Sequence, residues 1–429
     1  MQIKAPRGTY DILPPDTSKW QWVEKTLRET AENFGYQEIR TPIFEHTELF
    51  ERGVGTSTDI VTKEMYTFKD KSLRSLTLRP ENTASCARAL IEHSVYSGLM
   101  PAKWYYIGPM FRYDRPQTGR YRQFHQFGVE AFGSNSPYLD AEVIILLVEV
   151  LKRLGLPDYE LHINSVACPK CRGLYRQKLV EHITPVKDKL CLDCQNRYLQ
   201  NPLRVLDCKE KKCHEAIVNY PTLIEHLCTE CSNHYATVKA SLQQNNIAFI
   251  HDNNLVRGLD YYTNTAFEIY IPGIGAQNAV GGGGRYNGLV EECGGPSLPG
   301  IGFAMGIERL LLAVDTYKVK RFDNRKTDVF VAVMNNEYEP LALQLTTKMR
   351  LAGLRAEKDY MGRSGRAQMK YADKLGARLV IIIGEEEIAK NVFTLRDMYT
   401  KEQIQVDGDT IIDSVKHKLA NGLEEETDR

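Results

Sequence analysis

Apolar and polar positions follow two different periods along this chain, and the changes of period divide it. In "PPDTSKWQWVEKTLRETAENFGY" the apolar residues recur at helical spacing, with Pro and Asp at the start and Gly35 near the end, which predicts an amphipathic helix. "SLTLRP" predicts a strand stopped by Pro80, and "ENTASCARALIEHSV" predicts a helix. "KWYYIGPMFRYD" and "RYRQFHQFGVEAFG" read as two strands around a loop that contains Pro116 and Gly119, hence a hairpin. Strands joined by a hairpin argue for an antiparallel sheet. "AEVIILLVEVL" is the longest apolar run, and its Glu142 and Glu149 mark a buried amphipathic helix rather than a membrane span.

Residues 167–245 change character. They carry four cysteine pairs, many charges and two helical patterns, and read as an insertion. Strand signals return at "RGLDYYTNTAFEIYIPG", followed by "GAQNAVGGGGRYNGLV" and "GIGFAMGIERLLLAV". "YKVKRFDNRKT" is then a polar, basic linker. From Asp328 a continuous apolar strand, "DVFVAVM", leads into strand–helix alternation, which predicts a separate α/β domain. The expected class is α+β, in segments 1–166, 167–245, 246–320 and 327–421, with a frayed acidic tail, "LEEETDR".

Composition narrows the picture. A chain of 429 residues suggests two to three domains. Apolar content of 42% and charge of 26% are ordinary for a soluble protein with a real core. Formal net charge is zero, so a nucleic-acid partner must be met by a local patch. The N-terminus has no apolar signal region, and a cytoplasmic location without membrane attachment is the expectation. Of the ten cysteines only Cys86 and Cys293 lie outside residues 168–231. In a cytosol such clustering points to metal ligands before disulfides.

Candidate chemistry concentrates in "FRYDRPQTGRYRQFHQFGVE", with four arginines from Arg112 to Arg122. By strand alternation Arg122, Phe124, Gln126, Gly128 and Glu130 share one face, and Arg112 lies on the face of Met110 and Gly108. Guanidinium forks match phosphate and carboxylate oxygens, and an aromatic ring can stack a base. The set suits a nucleotide plus a small zwitterion. A solvated cross-strand charge ladder is the other reading. Glu81, after Pro80 and beside Thr83, is either a helix-dipole complement or an acid that takes an ammonium group. Arg309 opens a nearly all-apolar helix, so it wants an anion: a phosphate at the helix start, or an acid such as Glu308. "GGGGRYNGL" lacks the Lys-Ser/Thr of a Walker sequence and fits close backbone approach equally well. Tyr261 and Tyr262 start a strand, and Arg257 stands within ion-pair reach of Asp260 in sequence.

Together these stretches resemble the histidyl-tRNA synthetases, which are class II aminoacyl-tRNA synthetases, over almost the whole chain. "RTPIFEHTELF" resembles the first class motif, at a homodimer interface around Pro42; the arginine-rich ribbon resembles the second and "GFAMGIERLLL" the third. "RGLDYY" and "GGGGRYNGL" are similar to the two histidine-specific motifs. The resemblance implies a catalytic domain built on an antiparallel sheet flanked by helices, with a Cys-rich helical insertion and a C-terminal α/β anticodon-binding domain. It implies ATP with Mg2+, L-histidine and tRNA(His) as substrates and partners. Arg112 and Arg257 would flank the α-phosphate, with Arg112 also at the histidine carboxylate. Glu81, Thr83 and Gln126 would take the α-amino group, and Asn82 would belong to the same histidine site. Glu130 and Tyr262 would read the imidazole nitrogens, with Tyr261 alongside. Phe124 would stack the adenine, Arg120 and Arg122 would stand near the nucleotide, and Arg309 would take the γ-phosphate. Arg115 and Gln117 are loop-tip candidates for tRNA.

The cysteines depart from cysteine-poor versions of this family. "CPKC", "CLDC", "CKEKKC" and "CTEC" suffice for one or two tetrahedral four-cysteine zinc sites, with Cys168, Cys171, Cys191 and Cys194 as the ribbon-like pairs. Reduced thiols in a small helical domain are the alternative. Two other functions stay open: a catalytically inactive synthetase-like regulatory subunit of ATP phosphoribosyltransferase, and a zinc-dependent nucleic-acid-binding module.

Overall fold

Helix α1, Asp16–Asn33, forms where Trp20, Val23, Leu27 and Ala31 recur at steps of three and four, and all four are buried. It is followed, in the computed structural model of the chain, by the rest of a large mixed unit, residues 1–322, and by a second unit, residues 323–429. The structure describes residues 3–55, 58–199, 202–206, 208, 210–255, 261–275, 278–319 and 327–427.

The first unit is organised by an eight-stranded sheet. Its strands are β1 (Gln37–Glu38), β2 (Ala102–Phe111), β3 (Gln123–Phe132), β4 (Glu160–Ser165), β5 (Ile250–His251), β6 (Thr263–Tyr270), β7 (Ala279–Arg285) and β8 (Gly300–Gly306), in the spatial order β1-β2-β3-β8-β7-β6-β4-β5. The two short edge pairings, β1 with β2 and β4 with β5, are parallel; all other pairings are antiparallel. This is the antiparallel sheet expected from the sequence. The hairpin β2–β3 pairs Met110 with Phe124, Gly108 with Gln126 and Trp104 with Glu130, so the face read from alternation holds from Phe124 to Glu130, within the strand.

One sheet face is covered by α1, by the helix Pro137–Arg153 and by the helix Ile307–Thr316, around a core that includes Phe127, Phe267, Phe303, Ile144, Leu147 and Leu310. Pro137 stands in the first turn of its helix and the Ser136 hydroxyl accepts from the Tyr138 N–H, so start signals and an apolar stripe agree there. Each large side chain fully buried in this layer contributes about 1.5–3 kcal/mol relative to exposure. The opposite face stays open at its centre and holds the site.

The insertion between β4 and β5 is helical, with Pro169–Ile183, Leu192–Arg197, Lys211–Ala216 and Thr229–Gln244 as its main helices. The second unit has a five-stranded sheet. Its strand Thr327–Val333, second in the sheet, lies parallel to Ala356–Lys358 on one side and to Ala377–Ile383 on the other. Within the run "DVFVAVM", Val329 to Val333 are therefore buried on both faces, as continuous runs in parallel sheets are, while Met334 at its end is exposed. An antiparallel hairpin, Val392–Asp397 with Gln403–Asp407, extends the sheet; the alternation of strands and helices had not announced it. The helix Ile411–Thr427 runs into the acidic tail expected to fray; "LEEET" consists mostly of good helix formers.

Candidate active site

A cavity of about 580 Å³ opens on the sheet between the β2–β3 hairpin, the glycine-rich strand β7 and the start of the Ile307–Thr316 helix. Glycines make that wall possible. A Cβ on Gly302 would lie 2.2 Å from Glu130 Oε2, and one on Gly283 would lie 2.0 Å from the Gly302 carbonyl. The "GGGG" run thus lets neighbouring strands approach closely, and Gly302 makes room for a buried carboxylate; the run itself is strand, not a phosphate loop.

One end of the cavity is acidic and phenolic. Glu81 accepts the backbone N–H groups of Thr83 at 2.7 Å and Ala84 at 3.0 Å, so it closes the start of the helix Thr83–Glu92 while lining the cavity. Thr83 donates its hydroxyl to Glu130 Oε1 at 2.7 Å. Glu130 also accepts from the Tyr286 phenol, and from Tyr106 at 3.5 Å. It is 1% exposed, and burial pushes its carboxyl up to about 8 despite those bonds. Burial likewise pushes the phenols of Tyr106, Tyr261 and Tyr286 well above their ordinary value. Gln126 lines the cavity with its buried Oε1 lacking any hydrogen-bond partner. A buried acceptor left unpaired is costly, and a donor from a ligand would satisfy it.

The other end is cationic. Arg112 anchors its Nε on the Pro80 carbonyl at 2.9 Å and stands 5.3 Å from the centre of the Phe124 ring. Arg309 donates to the carbonyls of Gly119, at 3.1 Å, and Ala279. Arg120 pairs with Asp114. All three line the cavity. Burial, and then the positive charges of Arg120 and Arg112, push the Arg309 guanidinium below its ordinary value. Three guanidiniums in one cavity are suited to an anion. Glu308 is not the partner of Arg309, because it accepts the backbone N–H of His125 at 2.9 Å and meets its ring Nδ1 at 2.9 Å.

The residues singled out in the sequence fall into groups. Glu81, Thr83, Arg112, Arg120, Phe124, Gln126, Tyr261, Tyr262 and Arg309 meet at the cavity. Glu130 stands one side chain behind its wall. Asn82 does not face the cavity: its Oδ1 accepts from Thr41 at 2.6 Å and from Arg79 at 3.3 Å, locking two segments of backbone together. Arg122 is also turned aside, stacked 4.0 Å over the Tyr113 ring and packed against Gly8, because it precedes the regular strand and alternation does not extend to it. Arg115 and Gln117 are exposed on the hairpin loop. Arg257, with Asp260, lies outside the described residues.

Two phenols of the wall, Tyr106 and Tyr286, were missed. Tyr106 shares the face of Gly108 and Met110, so the same alternation carried one step further reaches it. Tyr286 stood in "GGGGRYNGL", where the glycines drew the reading. Its neighbour Arg285 points away, into a buried pair with Asp140 that also holds Thr265 at 2.6 Å and His234 at 2.8 Å.

In the insertion the cysteines form two quartets: Cys168, Cys171, Cys228 and Cys231, and Cys191, Cys194, Cys208 and Cys213. The ribbon-like pairs read from the sequence therefore separate, 168/171 into the first and 191/194 into the second. Helix starts explain the grouping: Cys168, Cys191 and Cys228 each precede the first residue of a helix, and Cys171, Cys194 and Cys231 follow within the first turn. The four sulfurs of each quartet lie within 4.8 Å of one another. A tetrahedral ion with bonds of about 2.3 Å requires sulfurs about 3.8 Å apart, so the donor sets fit zinc.

Residues 8–170 and 201–310 match the profile of the family described as Histidyl-tRNA synthetase, and residues 328–418 match that described as Anticodon binding domain. The chain is 68% identical over 416 residues to the histidine–tRNA ligase of Syntrophomonas wolfei, covering 97% of this chain and 99% of that protein. It is 55% identical over 406 residues to the histidine–tRNA ligase of Desulforamulus reducens, covering 95% and 97%. The apo crystal structure of S. aureus histidyl-tRNA synthetase superposes with a TM-score of 0.83 at 42% identity, covering 97% of this chain and 100% of that one.

Proposed function

The chain belongs to the histidyl-tRNA synthetase family, and from that premise we propose which of its residues carry the reaction. The reaction is the ATP-dependent activation of L-histidine to histidyl-adenylate, followed by transfer of histidine to the 3' end of tRNA(His). In the first step a histidine carboxylate oxygen attacks the α-phosphorus of ATP and pyrophosphate leaves. Negative charge grows on the α-phosphate oxygens. Arg112 holds both reactants at that point, and Arg257 is its counterpart across the phosphate. Aligned cations of this kind lower the barrier by orienting the reactants and stabilising the new charge. Arg309 and Arg120 hold the outer phosphates, and Phe124 stacks the adenine. Magnesium, brought with ATP, neutralises phosphate charge.

Glu81, Thr83 and Gln126 take the α-amino group. The unpaired Gln126 acceptor, facing a cavity with three guanidiniums at its other end, is the observation that carries this reading, because it fits a zwitterion with its ammonium on one side and its carboxylate on the other. Tyr262 and the Glu130–Tyr286–Tyr106 cluster read the imidazole. With Glu130 behind the wall, its part is to fix the direction in which Thr83 and Tyr286 present their groups. A neutral imidazole offers one donor and one acceptor, and ring analogues lacking them leave buried polar groups unpaired, a rejection that reaches about 10⁴-fold without editing.

The relatives that match at 68% and 55% identity over nearly their whole length are named as ligases, which does not favour an inactive regulatory subunit. The match to the anticodon-binding family supports tRNA contact by residues 328–418, and the exposed Arg115 and Gln117 supply a second contact at the acceptor end. Histidine charging by the Arg115→Ala variant at saturating tRNA, with a raised KM for tRNA, tests that contact. We assign the work to the cytoplasm, where tRNA is charged. No helix among the described residues is long and apolar enough to cross a membrane. Structural zinc in the insertion completes the reading, and metal analysis of protein purified without chelator tests it. Histidine-dependent exchange between pyrophosphate and ATP tests the whole.

A further inference from the structure

The two cysteine quartets sit differently with respect to the cavity. Cys168 and Cys171 open the helix Pro169–Ile183, and Cys228 and Cys231 open the helix Thr229–Gln244, so the first quartet joins the two helices by which the insertion leaves and rejoins the sheet. Arg172, the residue after Cys171, donates to the carbonyls of Val166 at 3.3 Å and Ala167 at 3.4 Å, at the end of β4, and to the carbonyl of Tyr262, at the start of β6. Around the same point Val166 donates to the Asn264 carbonyl at 2.6 Å, Asn264 donates to the Ala167 carbonyl at 3.0 Å, and the Cys231 thiol lies 3.7 Å from the Asn264 side-chain oxygen. Tyr262 is a wall residue of the cavity.

We propose that the quartet Cys168, Cys171, Cys228 and Cys231 holds a zinc ion that, through Arg172, positions Tyr262 for recognition of the histidine ring, and that the quartet Cys191, Cys194, Cys208 and Cys213 holds a second zinc that only folds the insertion. The proposal rests on the reading of the cavity as a histidine site and of the quartets as zinc sites.

Four thiolates at this spacing repel each other without a cation, and a tetrahedral ion turns them into a rigid knot. In the first quartet the knot fixes the register of Cys171 against Cys228, whose backbone N–H donates to the Cys171 sulfur at 3.1 Å. Arg172 follows Cys171 on the same helix turn, so its guanidinium is aimed from a fixed base at the Tyr262 carbonyl. Metal ligation in this arrangement orients a neighbouring group rather than performing chemistry. The second quartet has its contacts within the insertion: the Cys191 N–H donates to the Cys213 sulfur at 3.2 Å, Arg197 to the Cys194 sulfur at 3.4 Å, and Glu210 N–H to the Cys208 sulfur at 3.5 Å.

The test uses the full chain, with zinc counted by elemental analysis and steady-state pyrophosphate exchange read for both substrates. Wild type should hold about two zinc ions per chain, one per quartet. Cys228→Ser/Cys231→Ser should hold about one, with the KM for histidine raised about tenfold or more and the KM for ATP nearly unchanged. Cys191→Ser/Cys194→Ser should also hold about one, with both KM values unchanged. Arg172→Ala should keep both ions and still raise the KM for histidine selectively, which keeps the proposal open to refutation if the first variant does not fold. An Arg172→Ala variant with wild-type KM for histidine overturns the positioning role. Equal kinetic effects of the two cysteine variants overturn the division of labour. A wild-type zinc count near zero overturns the metal reading beneath it, whereas a zinc-replete protein without histidine-dependent exchange overturns the histidine reading.

Discussion

Thr83 donates its hydroxyl to Glu130 at 2.7 Å, across 47 residues of sequence, and so ties the first turn of a helix to the far part of the strand β3. Through Thr83 the same bond reaches Glu81, whose carboxylate holds the Thr83 N–H at 2.7 Å. The ammonium end and the ring end of the proposed histidine site are therefore one hydrogen-bonded structure.

Its pH dependence follows from Glu130. Burial raises this carboxyl from 4.5 to about 8. Between those values the native protein binds a proton that the unfolded chain has released, so this contribution to stability is present at low pH and fades as pH rises toward 8. Glu130→Gln removes the titration. In denaturant unfolding between about pH 5.5 and pH 8.5, wild type should lose at least about 1 kcal/mol more stability than the variant. Parallel stability profiles would remove the buried, protonated carboxyl from the account.

Gln126→Leu should separate stability from binding. The amide oxygen is unpaired in the free protein, so its removal should leave the melting temperature unchanged or raise it. The KM for histidine should rise by about tenfold or more, the scale of a lost hydrogen bond to a charged group. A variant with wild-type KM for histidine shows that the ammonium group lies elsewhere.

Arg257 lies outside the described residues, and its role rests on the family motif "RGLDYY". Arg257→Ala should fold normally and bind ATP with modest loss, while single-turnover adenylation slows by about 10²-fold or more. Arg257→Lys should recover only part, because an ammonium cannot reproduce the guanidinium fork. If Arg257 instead only pairs with Asp260, both Arg257→Ala and Asp260→Ala will lower the melting temperature and leave the adenylation rate intact.

A homodimer through the "RTPIFEHTELF" region is expected. Ile43 and Phe44 are 44% and 53% exposed on one chain, next to the exposed Phe68, an apolar cluster that a partner chain would cover. Phe50 of the same stretch contributes to the protein core instead. Sedimentation at micromolar concentration should give a dimer, and Phe44→Glu should shift it toward monomer. A wild-type protein that sediments only as monomer contradicts the interface.

Much of this site was legible because strand alternation is rigid. Phe124 and Gln126 face one way since the pleat requires it, the hairpin register sets Met110 and Gly108 opposite them, and Arg112, one residue past β2, still reaches the cavity. The reading weakened where regular structure ends. Arg122 lies just before the strand and stacks on Tyr113. Asn82 precedes a helix, and its side-chain oxygen is taken by Arg79 and by Thr41, the latter 41 residues away. Tyr286 enters the cavity by a phenol that meets Glu130 from a strand far along the chain, a contact with no local signature. The cysteine pairs were plain in the sequence, yet their grouping depends on how helix starts meet in space, which spacing alone does not encode.

The central claim is that the cavity of Arg112, Gln126 and Glu130 activates histidine. Pyrophosphate–ATP exchange by the purified full-length protein measures this most directly, without tRNA. Exchange should depend on L-histidine and fall by about 10²-fold or more in Arg112→Ala. A well-folded protein that binds histidine but supports no histidine-dependent exchange would contradict it and return the chain to the inactive regulatory-subunit reading.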